Sequence, residues 1–131
     1  MGARQDSSAS PTQIPTDRRK NVEVTRLADA PPYEAPKHFG IAALRLHGGG
    51  QTNTERMVVG LSHFLPGGGA DESSSEAERV YVVLEGQITV TTEDGPVKLD
   101  PLDSCLIPPG ETRSVQNATN RPASMLVIVV P

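Results

Sequence analysis

Short apolar runs separated by polar breaks follow one another from Val22 to the end of the 131-residue sequence. The runs have the length of β-strands, they are rich in Val, Ile and Thr, and helical 3.6-residue periodicity is scarce. We predict eight or nine strands, in the runs NVEVTRL, GIAALRLHG, RMVVGLSHFL, RVYVVLEG, QITVTTE, PVKLD, SCLIP, TRSVQN and SMLVIVV. This number of strands at hairpin spacing predicts an all-β sandwich or barrel.

The breaks between the runs have the chemistry of turns. They read HGGGQTNTE, PGGGADESSSEA, EG, EDG, DPLD, PPGE and NATNRP, and are rich in the residues that favour reversals of the chain. Residues 1–21 have the composition of a flexible arm, which would be ordered only if a partner subunit held it. Residues 22–131 have room for one domain.

Charge and composition narrow the class of protein. A net charge of −4 without a basic stripe argues against nucleic-acid binding. No apolar stretch reaches the length of a membrane span, and the N-terminus lacks the apolar centre of a secretion signal. We therefore expect a cytoplasmic protein that binds neither nucleic acid nor membranes. The single cysteine, Cys105, lies in the apolar run SCLIP and is interpreted as a core residue.

Two segments resemble the two sequence motifs of the cupin family. PGGG, a polar stretch and ERVYVVLEGQITV resemble the first motif, and DSCLIPPGETRSVQN resembles the second. Their order and spacing, over residues 57–130, suit a small single-domain cupin. The resemblance implies a double-sheet jelly-roll barrel over residues 22–131, usually a homodimer, with its site inside the barrel mouth.

The metal-ligand positions that the resemblance implies carry other residues here. Metal-binding cupins supply a pair of His, a Glu and a third His. In this sequence the Glu position, counted back from Gly86, is Arg79, and the third His position is Arg113. The paired positions fall on Glu72 and Ser74 or on Ser73 and Ser75. A guanidinium group cannot bind a metal cation, so we expect no metal cofactor at these positions.

Strand alternation groups the polar residues of the two motifs. Arg79, Tyr81 and Val83 share one face of their strand, and Arg113, Val115 and Asn117 share one face of theirs. In a cupin register both arginines would face one cavity, where guanidinium groups suit a carboxylate or phosphate. Alternatively, protein acids neutralise them, the nearest in sequence being Glu78, Asp71 and Glu72. The predicted substrate-binding residues are Arg79, Arg113, Asn117 and Glu78.

Two residues are candidates for moving a proton. His63 shares a strand face with Leu61 and Leu65 and would be a general base if that face is the barrel interior. Tyr81 is the second candidate. With the arginines, these residues would suit a metal-independent isomerase, lyase or decarboxylase acting on a small carboxylate or carbonyl compound.

Two other functions stay open at this point. One is a non-catalytic cupin, either a ligand-binding module or a structural partner. The other is a metal-dependent enzyme with relocated ligands, which would come from three histidines and the nearby acids: His38, His47, His63, Glu72, Glu76 and Glu78.

Overall fold

A computed structural model describes residues 21–131, and nearly all of its regular structure is β-strand. A 3₁₀ turn at Leu27–Asp29 precedes nine strands, which are β1 (Pro32–Tyr33), β2 (His38–His47), β3 (Val58–Ser73), β4 (Glu78–Glu85), β5 (Ile88–Thr92), β6 (Gly95–Leu99), β7 (Ser104–Ile107), β8 (Arg113–Gln116) and β9 (Ala123–Val130). All the strand pairs are antiparallel, in the order β6-β5-β8-β3-β9-β4-β7, with β2 paired to β3 and β1 to β2. The all-β jelly-roll prediction is confirmed.

Strand β3 joins the two halves of the barrel because its 16 residues pair with three other strands. Val58–Phe64 pair with β9, the stretch from Gly69 to Ser73 pairs with β8, and β2 runs along the other edge of both halves. The bend between the halves lies at residues 65–68, where Pro66 and Gly67 interrupt the ladder. The prediction that PGGGADESSSEA is a turn is therefore wrong for its residues up to Ser73, which belong to β3. The glycine run bends the strand without ending it.

The first predicted strand, NVEVTRL, is also wrong. Hydrogen bonds of its side chains, and not backbone pairing with another strand, attach this segment to the rest of the protein. The Thr25 hydroxyl donates to the Leu46 carbonyl at 2.6 Å, and the Glu23 carboxylate accepts from the backbone N–H of Asn53 at 3.1 Å. Apart from Asn21, the predicted arm of residues 1–21 lies outside the described part of the chain.

The hydrophobic core fills one end of the barrel and leaves the other end open. Along β9 the inward residues begin at the buried Ala123 and Met125 and continue to the half-buried Val127 at the open end. Cys105 packs against this core, as expected. Burial raises the pKa of the Cys105 thiol, which stays protonated at neutral pH.

Within residues 21–131, no helix has the length and apolar character needed to cross a bilayer. The cytoplasmic location and the homodimer stay predictions.

Substitution of Gly86 tests the tight reversal between β4 and β5. Gly86 has a φ of 78°, and a Cβ there would lie 2.7 Å from the Pro122 carbonyl oxygen. We expect Gly86→Ala to lower the free energy of unfolding by about 1–2 kcal/mol for the backbone conformation and by roughly 1–3 kcal/mol more for the contact. Urea denaturation followed by circular dichroism measures the change.

Gly67→Ala is the matched control, since Gly67 has a φ of 82° and nothing within 4 Å of its Cβ position. It should show only the conformational cost. Equal losses in the two variants would contradict the close approach of Pro122.

Candidate functional site

A cavity of about 320 Å³ opens at the unfilled end of the barrel. This volume is at the lower end of the range for small-molecule sites. Apolar side chains from three strands form its inner wall, namely Ile41, Phe64, Met125, Val127 and Val129. The polar groups that line it are Arg45, Arg79, Arg113, His38, Tyr33, Tyr81, Asp71, Ser62, Ser73 and Ser114. Polar and apolar residues line the cavity in equal number, which suits one small ligand that has both polar and apolar groups.

Arg79 and Arg113 both line the cavity, as their strand alternation predicts. Arg113 extends from β8 toward β4, where its Nε donates to the Tyr81 hydroxyl oxygen at 3.2 Å. Its Nη1 donates to the Ser73 carbonyl oxygen at 2.9 Å and to Ser73 Oγ at 3.1 Å. Arg79 Nη2 donates to Ser75 Oγ at 2.9 Å. Both guanidinium groups are thus fixed at one edge and keep further N–H donors free.

The hydrogen bonds of these two guanidinium groups within residues 21–131 all go to neutral oxygen atoms. Glu78 is exposed and does not line the cavity, so the structure does not place it with the other predicted substrate-binding residues. The reason is alternation, since Arg79 points inward and its neighbour Glu78 points outward. Glu72 and Asp71 are exposed as well, but Asp71 is the one carboxylate among the residues that line the cavity. The site is therefore rich in positive charge.

A third arginine, Arg45, lines the same cavity and was missed in the sequence analysis. Its guanidinium carbon lies 4.0 Å from the centre of the Tyr33 ring, a cation–π contact. Gly60 pairs with Arg45, and a Cβ on Gly60 would lie 2.8 Å from the Tyr33 hydroxyl oxygen. The signal was present in GIAALRLHG, where alternation groups Arg45 with the inward Ala43 and Ile41.

His38 also lines the cavity, at the start of β2. Burial lowers the pKa of its imidazole, and the positive charge of Arg113 lowers it further. The ring is consequently neutral at neutral pH and able to accept a proton. The sequence analysis offered His38 as a relocated metal ligand and gave it no role in moving a proton, because Arg113, whose charge acts on it, is 75 positions away in the chain.

His63, the predicted general base, lies outside the cavity. Its side chain is exposed, and Nδ1 lies 3.0 Å from Ser124 Oγ on the neighbouring strand. The inward residues of this part of β3 are Ser62 and Phe64, so the face that carries His63 is not the barrel interior. Tyr81 is buried and lines the cavity as predicted.

Asn117 does not line the cavity either, and its side chain supports the chain reversal before β9. It is 0% exposed. Its Nδ2 donates to the carbonyl oxygens of Leu65 and Arg121 at 3.3 and 2.6 Å, and its Oδ1 accepts from Thr119. Strand β8 ends at Gln116, so Asn117 lies one residue beyond the strand. The alternation that was expected to place it on the same face as Arg113 therefore does not apply to it.

The donor atoms of the cavity do not fit the metal site of a cupin. The three histidines are not brought together, since His38 lines the cavity, His47 contacts Thr52 Oγ1 at 3.3 Å and His63 is outside. Across residues 21–131 no group of three His, Cys, Asp or Glu side chains could hold a metal ion. The paired positions also differ from the prediction, because the residues of this stretch that line the cavity are Asp71 and Ser73.

Comparison with known proteins gives one family. A family model described as a cupin domain matches residues 60–129. A protein of Mycobacterium tuberculosis named as a beta-D-galactosidase is 43% identical over 108 residues, which cover 82% of this chain and 93% of that protein.

Solved structures with the same fold include enzymes of different names. The polyketide cyclase RemF of Streptomyces resistomycificus superposes with a TM-score of 0.75 at 18% identity, over 84% of this chain and 80% of its own. A cupin-superfamily sugar phosphate isomerase of Silicibacter pomeroyi superposes with a TM-score of 0.62 at 25% identity, over 70% of this chain and 60% of its own. At 18% identity the first of these supports the fold alone.

Asn117→Ala tests whether Asn117 is structural. We expect the free energy of unfolding to fall by about 2–4 kcal/mol, because part-buried backbone groups of Leu65, Arg121 and Thr119 each lose a hydrogen bond to the buried Asn117 side chain. Urea denaturation measures the loss, and the exposed neighbour substitution Gln116→Ala should change stability by no more than about 0.5 kcal/mol. Unchanged stability in Asn117→Ala would contradict the structural role.

The charge state of His38 gives a second prediction. Nuclear magnetic resonance should show that the pKa of the His38 ring lies below the ordinary histidine value of 6.5. Arg113→Leu should raise that pKa without restoring 6.5, because burial, the larger cause, persists. Since the folded-state pKa is lowered, the stability that His38 contributes is present above its unfolded pKa and is lost as the pH falls through the folded value. The exposed substitution Arg56→Leu should leave the titration unchanged, and an unshifted His38 in wild type would refute the assignment.

Proposed function

Because this chain belongs to the cupin family, we propose that its barrel cavity is the active site of a metal-independent enzyme acting on a small anionic carbonyl compound. The reaction class is isomerase or lyase, including decarboxylation. In this class the protein must hold an anionic group, stabilise a developing enolate and move a proton.

One observation carries the proposal. Three guanidinium groups line a cavity of about 320 Å³, and those of Arg79 and Arg113 bond only neutral oxygens within residues 21–131. A partly enclosed guanidinium is costly unless an acceptor of opposite charge pairs with it. An anionic ligand would supply that charge and would meet preformed, fixed N–H donors. The hydrogen bonds of Arg79 and Arg113 to neutral oxygens support this interpretation over the internal ion-pair network, in which Glu78, Asp71 or Glu72 would have neutralised the arginines.

Tyr81 is suited to stabilise negative charge that develops on the ligand. Its hydroxyl oxygen accepts the Nε–H of Arg113 at 3.2 Å, so its own proton is free to donate into the cavity. The positive charge of Arg113 strengthens that donation. A hydroxyl donor fixed beside a guanidinium can hold an enolate oxygen in a site where water is scarce.

The names of two similar proteins suggest the class of ligand. One is named as a beta-D-galactosidase and the other as a sugar phosphate isomerase, so both names refer to sugars. Combined with the arginines, they favour an acidic or phosphorylated sugar as the ligand of this chain. Residues 21–131 bring together no group of three donors that fits a metal, which supports a mechanism in which guanidinium groups take the place of the metal ion of other cupins.

Arg113→Leu tests the anion site. Isothermal titration calorimetry with D-galacturonate and with D-galactose separates the contribution of the carboxylate, because the two sugars differ mainly in that group. We expect wild type to prefer galacturonate and Arg113→Leu to bind it more weakly by about 1.5–3 kcal/mol, roughly 10- to 150-fold. Arg56→Leu, which removes an exposed arginine, should bind it as wild type does.

Equal affinity of wild type for the two sugars, or unaltered galacturonate binding by Arg113→Leu, would refute the anion site. Binding of galacturonate without turnover of any small sugar acid or sugar phosphate would favour the non-catalytic ligand-binding alternative.

Hydrolysis of a β-D-galactoside is the second candidate function. It is favoured by the 43% identity to the protein named as a beta-D-galactosidase and by the carboxylate of Asp71 in the cavity. Glycoside hydrolysis commonly uses two carboxyl groups, and some enzymes use a tyrosine as nucleophile, so Asp71 would act with Tyr81.

Release of p-nitrophenol from p-nitrophenyl β-D-galactoside measures this activity. If the second candidate is correct, Asp71→Asn should reduce turnover at least 100-fold, since a general acid–base group contributes about 10²–10⁴-fold. The exposed substitution Asp94→Asn should not reduce it. Equal turnover in Asp71→Asn and wild type would exclude Asp71, and no turnover by wild type would exclude the activity.

A further inference from the structure

His38 occupies a position that the reaction proposed above leaves without an assigned role. It begins β2 directly after the stretch from Tyr33 to Lys37, and Tyr33, Ala35, Pro36 and His38 together form one wall of the cavity. Among the side-chain hydrogen bonds of residues 21–131, none uses the His38 ring. As far as this part of the chain is concerned, both ring nitrogens can bond a ligand.

The charged groups around His38 leave the ring neutral. Arg113 is the cation whose charge acts on the ring, and Asp71 lines the cavity beside it, where its backbone N–H bonds the carbonyl of Lys37. The Lys37 ammonium is directed to the Glu72 carbonyl oxygen at 3.1 Å. Burial and the charge of Arg113 lower the pKa of His38, so the unprotonated imidazole predominates at neutral pH. A neutral imidazole beside an anion-binding guanidinium is the state that a general base requires.

We propose that His38 is the general base of this cavity and takes a proton from the carbon next to the carbonyl group of a ligand held by Arg113. This inference rests on the proposed isomerase or lyase function. It assigns to His38, which lines the cavity, the role that His63 cannot fill because His63 lies outside it.

The step balances without a co-reactant. The C–H bond breaks, the proton forms an N–H bond on His38, and the electron pair enters the carbon framework to give an enolate. The enolate oxygen accepts the hydrogen bond of the Tyr81 hydroxyl. In a ligand with a hydroxyl group on the carbon that loses its proton, the hydroxyl proton passes to the former carbonyl oxygen. The proton on His38 then returns to the former carbonyl carbon, which gives the isomeric carbonyl compound and leaves the imidazole neutral again.

Ligand binding and basicity are coupled in this arrangement. A carboxylate or phosphate on Arg113 offsets the guanidinium charge that opposes protonation of His38. The pKa of His38 therefore rises when the ligand is bound, which is when the ring must hold a proton. The same anion that is recognised also makes the base stronger.

Exchange of ligand protons for solvent deuterium tests the role of His38. Wild type, His38→Gln and His47→Gln are incubated in D₂O with D-galacturonate, dihydroxyacetone phosphate or pyruvate, and proton nuclear magnetic resonance follows loss of the signal next to the carbonyl. We expect exchange above the buffer rate with at least one probe for wild type and for His47→Gln. The exchange rate with His38→Gln should be at least about 100-fold lower than with wild type.

Calorimetry on the same variants distinguishes failure of this inference from failure of the proposed function. His38→Gln should bind the exchanging probe within threefold of wild type, since the arginines are intact. Exchange by His38→Gln at the wild-type rate overturns the base role alone, as does probe binding by wild type without exchange. Absence of Arg113-dependent binding of all three probes overturns the proposed function and this inference with it.

Discussion

The pairing of β3 with three other strands is the constraint on which the rest of the structure depends. The first half of β3 pairs with β9 and its second half pairs with β8, so the strand must bend between them. The bend lies at residues 65–68. That bend brings the end of β3, with Asp71 and Ser73, opposite Tyr81 on β4. Without it, Arg113 on β8 would have no route to the Tyr81 hydroxyl, and the two halves of the site would belong to separate sheets.

The second determinant is the charge enclosed at the open end of the barrel. A jelly-roll barrel of this size is filled by apolar residues from β4, β5 and β9 at one end, and the polar residues are left to the mouth. Guanidinium groups tolerate this position because their stems pack against apolar walls while the planar heads find oxygen partners. The seryl and tyrosyl oxygens orient Arg79 and Arg113 without cancelling their charge. The result is a cavity with fixed donors and a neutral imidazole at its edge.

Much of this architecture could be predicted from local pattern, and the failures have physical causes. Period-two alternation placed Arg79, Tyr81 and Arg113 correctly, because each lies within a strand whose two faces differ in polarity. It failed for Asn117, which follows the last residue of β8, and for His63, because both faces of that stretch of β3 carry apolar residues. The glycine run after Phe64 predicted a turn, but pairing with β8 and β2 overrode the local preference.

Residues brought together over long distances were beyond any local pattern. His38 gains its chemical character from Arg113, and Arg45 gains its position from a ring 12 residues earlier in the chain that fits only because Gly60 has no side chain. Such effects depend on register between strands, which the sequence of one chain leaves open.

The wall formed by Tyr33, Ala35, Pro36 and His38 precedes the part of the chain that matches the family, residues 60–129. The two motif arginines thus lie in the matched part of the chain, whereas Tyr33 and His38, which line the same cavity, lie before it. Ala35 and Pro36 lie between β1 and β2, so changes there can reshape what the cavity accepts while the strands keep their pairing. Ligand choice in this protein can diverge by replacing one wall of an otherwise constant chamber.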